Sequence, residues 1–419
     1  MLAGNKKISR LNSGKQKALL DPFLLAMYTN KRETMNHKKR LSQKQLSCLT
    51  AILLSLATLG TGCSSNPSTQ ADRTSDSNPP AATTETQAGE VREIVVSDFT
   101  NRVVVPTYQN LVAKAGELSK AVNAYVANPS NATLKAAQEA WRDARVPWEQ
   151  SEAFAFGPAA SLGYDGDLDD WPVNETDVKA VLASKAELNP DAIAQLQTTQ
   201  KGFHTIEYLL FGSNNDRKAQ DLSKRDLQFL KLLADALNQT AQDLTKSWKE
   251  GVGSNPAYSQ VLATAGDSSN TTYPTVNAAL EEIVQGAIGC LDEVANEKIG
   301  EPLKEKTTKN LESRFSHSSL DDFKNNIRSI ENAYLGKVAE SSASRGKSLS
   351  NLVAQADPKL DEQVKSEIQA ALAALDAIPN PVEPKMSDAA ALAKMEAAQK
   401  AILTLHATME QKVLPLVRG

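Results

Sequence analysis

The chain has 419 residues, 41% apolar and 5% aromatic, with 46 Lys plus Arg against 50 Asp plus Glu and three cysteines. That length holds about two ordinary domains, and the composition excludes collagen-like, disulfide-framework and polytopic membrane classes. Residues 1–62 carry 11 Lys or Arg against only Asp21 and Glu33, a balance of +9, which leaves −13 for the rest. An acidic body of this size argues against nucleic acid, whose phosphates need clustered Lys and Arg, and favours a cationic ligand or one with no charge at all.

The first 62 residues read as a signal peptide. The stretch from Leu46 to Gly62 follows the basic run His37-Lys38-Lys39-Arg40 and ends in small residues directly before Cys63. Its apolar part, Leu49 to Leu59, is too short to span a bilayer comfortably. Gly60-Thr61-Gly62-Cys63 resembles a bacterial lipoprotein signal, with Gly60 where a leucine is usual, so Cys63 is expected to be lipidated (palmitate) and to become the first mature residue. A plain signal cut near Ala57 and an uncleaved anchor are the alternatives, and each would also export the chain. Because 34 residues precede Met35, translation from Met35 would give a conventional leader.

Residues 63–92 read as the lipidated cysteine and a flexible tether. Between Ser64 and Glu90 there is no aromatic or branched aliphatic residue, so little surface could be buried to offset chain ordering. Of the other cysteines, Cys48 leaves with the leader and Cys290 has no partner, so the mature chain is expected to hold no internal disulfide.

From Val91 onward apolar residues recur every three or four positions, the spacing of amphipathic helices. The stripes are Leu134, Ala137, Trp141, Ala144, Trp148; Leu230, Leu233, Leu237, Ala241, Leu244, Trp248; and Val276, Leu280, Ile283, Ala287, Leu291, Val294. Two more are Leu360, Val364, Ile368, Leu372, Leu375 and Leu392, Met395, Ile402, Leu405, Met409, Val413. Asp357-Pro358 is a capping side chain with proline at the first helical position. The β-branched segment around Val96, Phe99 and Val103 keeps helical spacing and is taken as helix. Such stripes predict an all-α protein of two packed up-and-down helical bundles, residues 93–220 and 221–419, with a boundary near Ser213 to Lys224.

Nine of the 21 aromatic residues fall between Trp141 and Phe211, where the helical pattern is also least regular. This region holds Pro147, the loop from Gly157 to Asn174 and the run Asp165, Asp167, Asp169, Asp170, and irregular backbone among bulky apolar residues is where sites form. An aromatic core beneath a long loop would look the same. On a helix, His204 and Glu207 share a side, and Glu149 and Glu152 repeat that spacing. Facing each other, the pairs would supply one nitrogen and three oxygens, a set suited to iron, zinc or manganese. Alone the spacing is weak, since such pairs often lie on solvated faces.

The strings WRDARVPWEQSEAFAFGP, DDWPVN, GFHTIEYLLFG and ESRFSHSSLDDFKNNI, in this order on an exported helical chain, resemble the imelysin family, and within it the iron-regulated lipoproteins of cyanobacterial type. The likeness spans about residues 93–419, with GxHxxE at Gly202, His204 and Glu207 as the signature. It implies two helical bundles with a pocket at their junction and a role in acquiring iron or a related metal. Carried over by position, His204 and Glu207 are the metal pair, Glu152 a further acidic ligand with Glu149 one turn earlier, and an aspartate of the DDW string the loop carboxylate. The run leaves Asp169 and Asp170 open; Asp170 is the one taken. Arg314 and Ser316 become pocket residues from the second bundle.

The expectation is a lipoprotein tethered on the periplasmic side of a bacterial membrane that captures a metal ion, iron first and zinc second, free or as a chelate, and passes it to a transport partner. One alternative is a metallopeptidase using the same pair, with His317 as a distant third ligand. Another is a module for a polysaccharide or iron chelate, stacked on Trp148 and Trp171. No HExxH, nucleophile elbow, phosphate loop, GxGxxG or CxxC occurs. His406 and Cys290 read as structural residues of their helices.

Overall fold

In the computed structural model, residues 82–337 and 346–419 are described. The expected signal peptide, Cys63 and most of the expected tether lie outside them. The long helices are α1 (Ala82–Phe99), α2 (Val105–Ala127), α3 (Asn131–Glu149), α4 (Gly202–Phe211), α5 (Lys224–Lys249), α6 (Val276–Asp292), α7 (Ser319–Leu335), α8 (Pro358–Asp376) and α9 (Ala389–Thr408). Among the described residues there is no strand, only an isolated bridge between Val252 and Asn255, and no helix is long and apolar enough to cross a membrane. The fold is all-α.

The helices begin where their side chains can cap them. Ser130 with Thr133 and Ser223 with Asp226 form capping boxes at α3 and α5, and Asp357 accepts from the Lys359 and Leu360 amides with Pro358 leading α8. Each apolar stripe is buried, with only Val276 and Leu392, near their helix starts, partly exposed. Val96, Phe99 and Val103 are buried on a continuous helix that loosens to π-helical geometry over Thr100–Val104.

Packing departs from the expected boundaries at two places. Helix α1 starts at Ala82, so the last part of the expected 63–92 tether is helical. Ala, Glu and Gln there are sound helix formers, and Val91 and Val95 give the helix apolar surface to dock. It docks on α6, and Arg92 donates to Asn277 Oδ1 at 2.8 Å and to the Val417 and Leu416 carbonyls at 2.9 and 3.3 Å. Those carbonyls end the last helix and have no partner within it.

Helix α5, beyond the expected division at 220, buries its stripe against α2 and α4. The first bundle is therefore α2, α3, α4 and α5. The second gathers α1, α6, α7, α8 and α9, and all described residues belong to one compact unit. The bundles meet where the end of α3 and the 3-10 turn Glu152–Phe154 pack on α6 and α7. Gly286 of α6 permits this approach, because a Cβ there would lie 2.4 Å from the Ala153 carbonyl oxygen.

Candidate metal centre

The last turns of α3 bring charge into this junction. Its stripe Trp141, Ala144, Trp148 must be buried, and Arg145 and Glu149, one turn apart beside it, go in with it, at 2% and 0% exposure. Helix α4 is buried along its whole length, so His204 and Glu207 are interior residues rather than members of a solvated face. The backbone of Leu168 presses on the start of α4. Gly202, at φ +76°, allows it, since a Cβ there would sit 2.4 Å from the Leu168 carbonyl oxygen. Asp169 is thereby set beside the imidazole, its Oδ1 3.2 Å from His204 Nε2.

The two ring nitrogens face different things. Nδ1 lies 3.1 Å from Glu207 Oε2, while Glu207 Oε1 accepts from the Phe315 and Ser316 amides at 3.0 and 2.7 Å and from Ser316 Oγ at 2.8 Å. Glu207 is thus tied down behind the ring. Nε2 points into the junction, where it makes no hydrogen bond although buried. Asp169 is held from its other side by Trp148 Nε1 at 2.7 Å and by Arg145.

Beyond Asp169 lies a buried group of carboxylates. Arg145 also contacts Glu149, Glu312 at 3.2 Å and Asp322 at 3.3 Å. Lys298 reaches Glu312 at 2.8 Å, Asn326 holds Glu149 Oε2 at 2.6 Å, and Ser313 donates to Asp322. Ligand atoms of Asp169, His204 and Glu312 lie within 4.8 Å of one another, as do those of Glu149, Glu152, Asp169 and those of Glu149, Glu312, Asp322. Five carboxylates here, Asp169, Glu149, Glu152, Glu312 and Asp322, face two fixed cations, Arg145 and Lys298.

Such an imbalance in a low-dielectric interior must be relieved by protons or by a cation. Burial pushes the Glu149 and Glu152 carboxyls well above their usual range, and burial with Glu312 nearby raises Asp322 to about 7. Burial also opposes charge on Asp169 and His204. Arg145 and then His204 nonetheless hold Asp169 well below the usual carboxylate range, and Asp169 raises the imidazole to about 9. The imidazole is therefore protonated in the metal-free chain, and an ion such as iron, zinc or manganese would take the place of the Nε2 proton among the carboxylate oxygens, releasing it on binding.

The expected site residues divide accordingly. His204, Glu149 and the partly buried Glu152 are at the junction, with Glu207 and Ser316 behind the imidazole and Gly202 at the close approach. The loop carboxylate at the centre is Asp169, not Asp170. Asp170 is turned to accept from Thr198 Oγ1, because Asp169 ends the short helix Tyr164–Asp169 and the chain becomes extended at Asp170. Arg314 does not reach the cluster either; it lies over the Phe315 ring and pairs with Glu175 at 2.7 Å. Trp148 is fully buried, and Trp171 Nε1 donates to the Leu311 carbonyl at 3.3 Å. No ligand group among the described residues includes His317 or His406.

Arg145, Lys298, Glu312 and Asp322 were not singled out from the sequence. Arg145, Glu312 and Asp322 do lie inside the strings that carry the family resemblance. Lys298 had no signal, since LDEVANEKIG reads as the charged end of a helix.

A family model described as Imelysin matches residues 104–409. Iron-regulated protein A of Synechococcus elongatus is 39% identical over 323 residues, covering 77% of this chain and 86% of its own. The crystal structure of a protein described as an iron-regulated protein A precursor, from Parabacteroides distasonis, superposes with a TM-score of 0.69 at 31% identity, covering 79% of this chain and 95% of that one. An imelysin-like protein from Psychrobacter arcticum shares the fold, with a TM-score of 0.63 at 14% identity over 79% of this chain and 98% of that one. The chain belongs to the imelysin family.

Proposed function

We propose that this imelysin binds a metal ion, iron foremost, at the bundle junction, and that it captures the ion outside the cytoplasmic membrane and hands it on. His204, Asp169 and Glu312 would hold the ion, with Glu149 and Glu152 adjoining and Glu207 fixing the ring. The observation that carries this is the buried His204 Nε2, without a hydrogen bond, facing Asp169 and Glu312. The names of the Synechococcus and Parabacteroides relatives support iron as the cargo. The leader and Cys63 support a lipid-anchored, periplasm-facing protein.

The other readings fit less well. A peptidase built on His204, Glu207 and His317 would need all three on one ion, but both Glu207 oxygens are already taken, Oε1 by three donors and Oε2 beside His204 Nδ1, and no ligand group among the described residues includes His317. An organic ligand could not stack on Trp148, which is enclosed and committed to Asp169.

The test is metal content and calorimetric titration of the full chain with iron, zinc and manganese. Wild type and Asp170→Asn should bind stoichiometrically, and His204→Ala and Asp169→Asn should lose binding; equal binding by all four would refute the site. Incorporation of labelled palmitate, lost in Cys63→Ser, tests the anchor.

A further inference from the structure

Lys298 is 3% exposed, and lysine is almost never buried unless paired. It stands on the π-helical segment Glu293–Ile299 that continues α6, where Gln399 Nε2 donates to the Ala295 carbonyl at 2.8 Å. π-Helical turns of this kind often accompany functional sites. Its ammonium has four oxygen partners: Glu312 Oε1 at 2.8 Å, which Arg145 shares at 3.2 Å, Asn326 Oδ1 at 3.3 Å, and Glu149 Oε2 and Glu293 Oε1 at 3.7 Å each. Carboxylate and amide oxygens are the donors a hard divalent ion takes.

Glu312 is common to both sides. It belongs to the group with His204 and Asp169, it holds Lys298, and its buried Oε2 makes no hydrogen bond. Centres with two metals place them about 3.5–4 Å apart, an arrangement a shared carboxylate suits. A lysine ammonium next to the first ion both fills the second place and repels a further cation.

We propose that Lys298 is the built-in second cation of the centre: it occupies an oxygen-lined subsite for a hard divalent ion across Glu312 and limits the protein to one metal. This rests on the metal-binding reading above. The experiment compares full-length wild type and Lys298→Ala after loading with manganese(II), by metal content per chain and by calorimetry. The expected result is a gain of one ion per chain in Lys298→Ala, with the added ion displaced by methylammonium.

An unchanged ion count would overturn the proposal. So would a second ion indifferent to methylammonium. If the variant does not fold alone, it is refolded with manganese. Recovery of a cooperative melt with the extra ion bound supports the proposal, and a chain unfolded with and without the metal overturns it. Wild type without any ion would fail the reading of the His204 site instead, and the gain of one ion on substitution still reads out Lys298 by itself.

Discussion

Gly202→Ala isolates what the glycine of the signature does. At φ +76° an alanine meets the left-handed penalty of about 1–2 kcal/mol. Its Cβ would also lie 2.4 Å from the Leu168 carbonyl oxygen and 3.1 Å from that of Asp167, so the short helix Tyr164–Asp169 must retreat by roughly 1 Å, at the cost of about 1–3 kcal/mol typical of overpacking. Together these give about 2–5 kcal/mol. With an unfolding entropy of about 2.1 cal/mol/K per residue over roughly 330 residues, the melting temperature should fall by about 3–7 °C. Because Asp169 moves with that backbone, metal affinity should fall at least about tenfold while His204 and Glu207 stay in place. Differential scanning calorimetry and metal titration measure both. Gly289→Ala, where nothing lies within 4 Å of the added Cβ, should be neutral or stabilising by about 0.5–1 kcal/mol. A Gly202→Ala protein melting within about 1 °C of wild type, with unchanged affinity, would refute this account.

Glu207→Gln should keep the metal stoichiometry and weaken affinity about 10–100-fold, as loss of a carboxylate behind a ligating histidine does; complete loss of binding would make Glu207 a ligand. Glu383 accepts from the Ser319 amide, and burial raises its carboxyl from 4.5 to about 7. Between those values the folded chain holds a proton that the unfolded chain has released, so stability falls as pH rises through this window, by up to about 3 kcal/mol. Glu383→Gln should therefore be the more stable protein at pH 8 and lose that advantage at pH 5 in denaturant titrations, and parallel pH profiles would contradict this. Arg92→Met should cost about 2 kcal/mol in urea and speed hydrogen exchange in α1, since three partly buried hydrogen bonds go; a change below about 0.5 kcal/mol would mean that α1 docks through its apolar face alone.

Much of the fold is visible in the sequence because helical phase is a local property. Leu134 to Trp148 and Leu230 to Trp248 face inward as their spacing requires, and Asp357-Pro358 starts a helix by chemistry confined to one turn. The aromatic-rich irregular segment, read from the sequence as a place where a site could form, contains the end of α3 and the turn Glu152–Phe154 that lie at the junction. The choice of partner was not visible. Helix α5 joined the first bundle and α1 the second because interhelical packing depends on matching surfaces far apart in the chain, which the stripe of either helix does not specify.

The same division runs through the site. By itself the sequence determined an all-α body, which follows from periodicity, and the GxHxxE string, which carries the family resemblance. Only the tertiary structure decided that Asp169 rather than Asp170 meets the imidazole, that Glu207 stands behind the ring, and that Arg145 and Lys298 enter a buried set of carboxylates. Adjacent aspartates are chemically identical in sequence. What separates them is the direction each takes when Leu168 closes on Gly202, and a charged residue becomes part of a centre only when packing removes its water and leaves it the opposite charges around it.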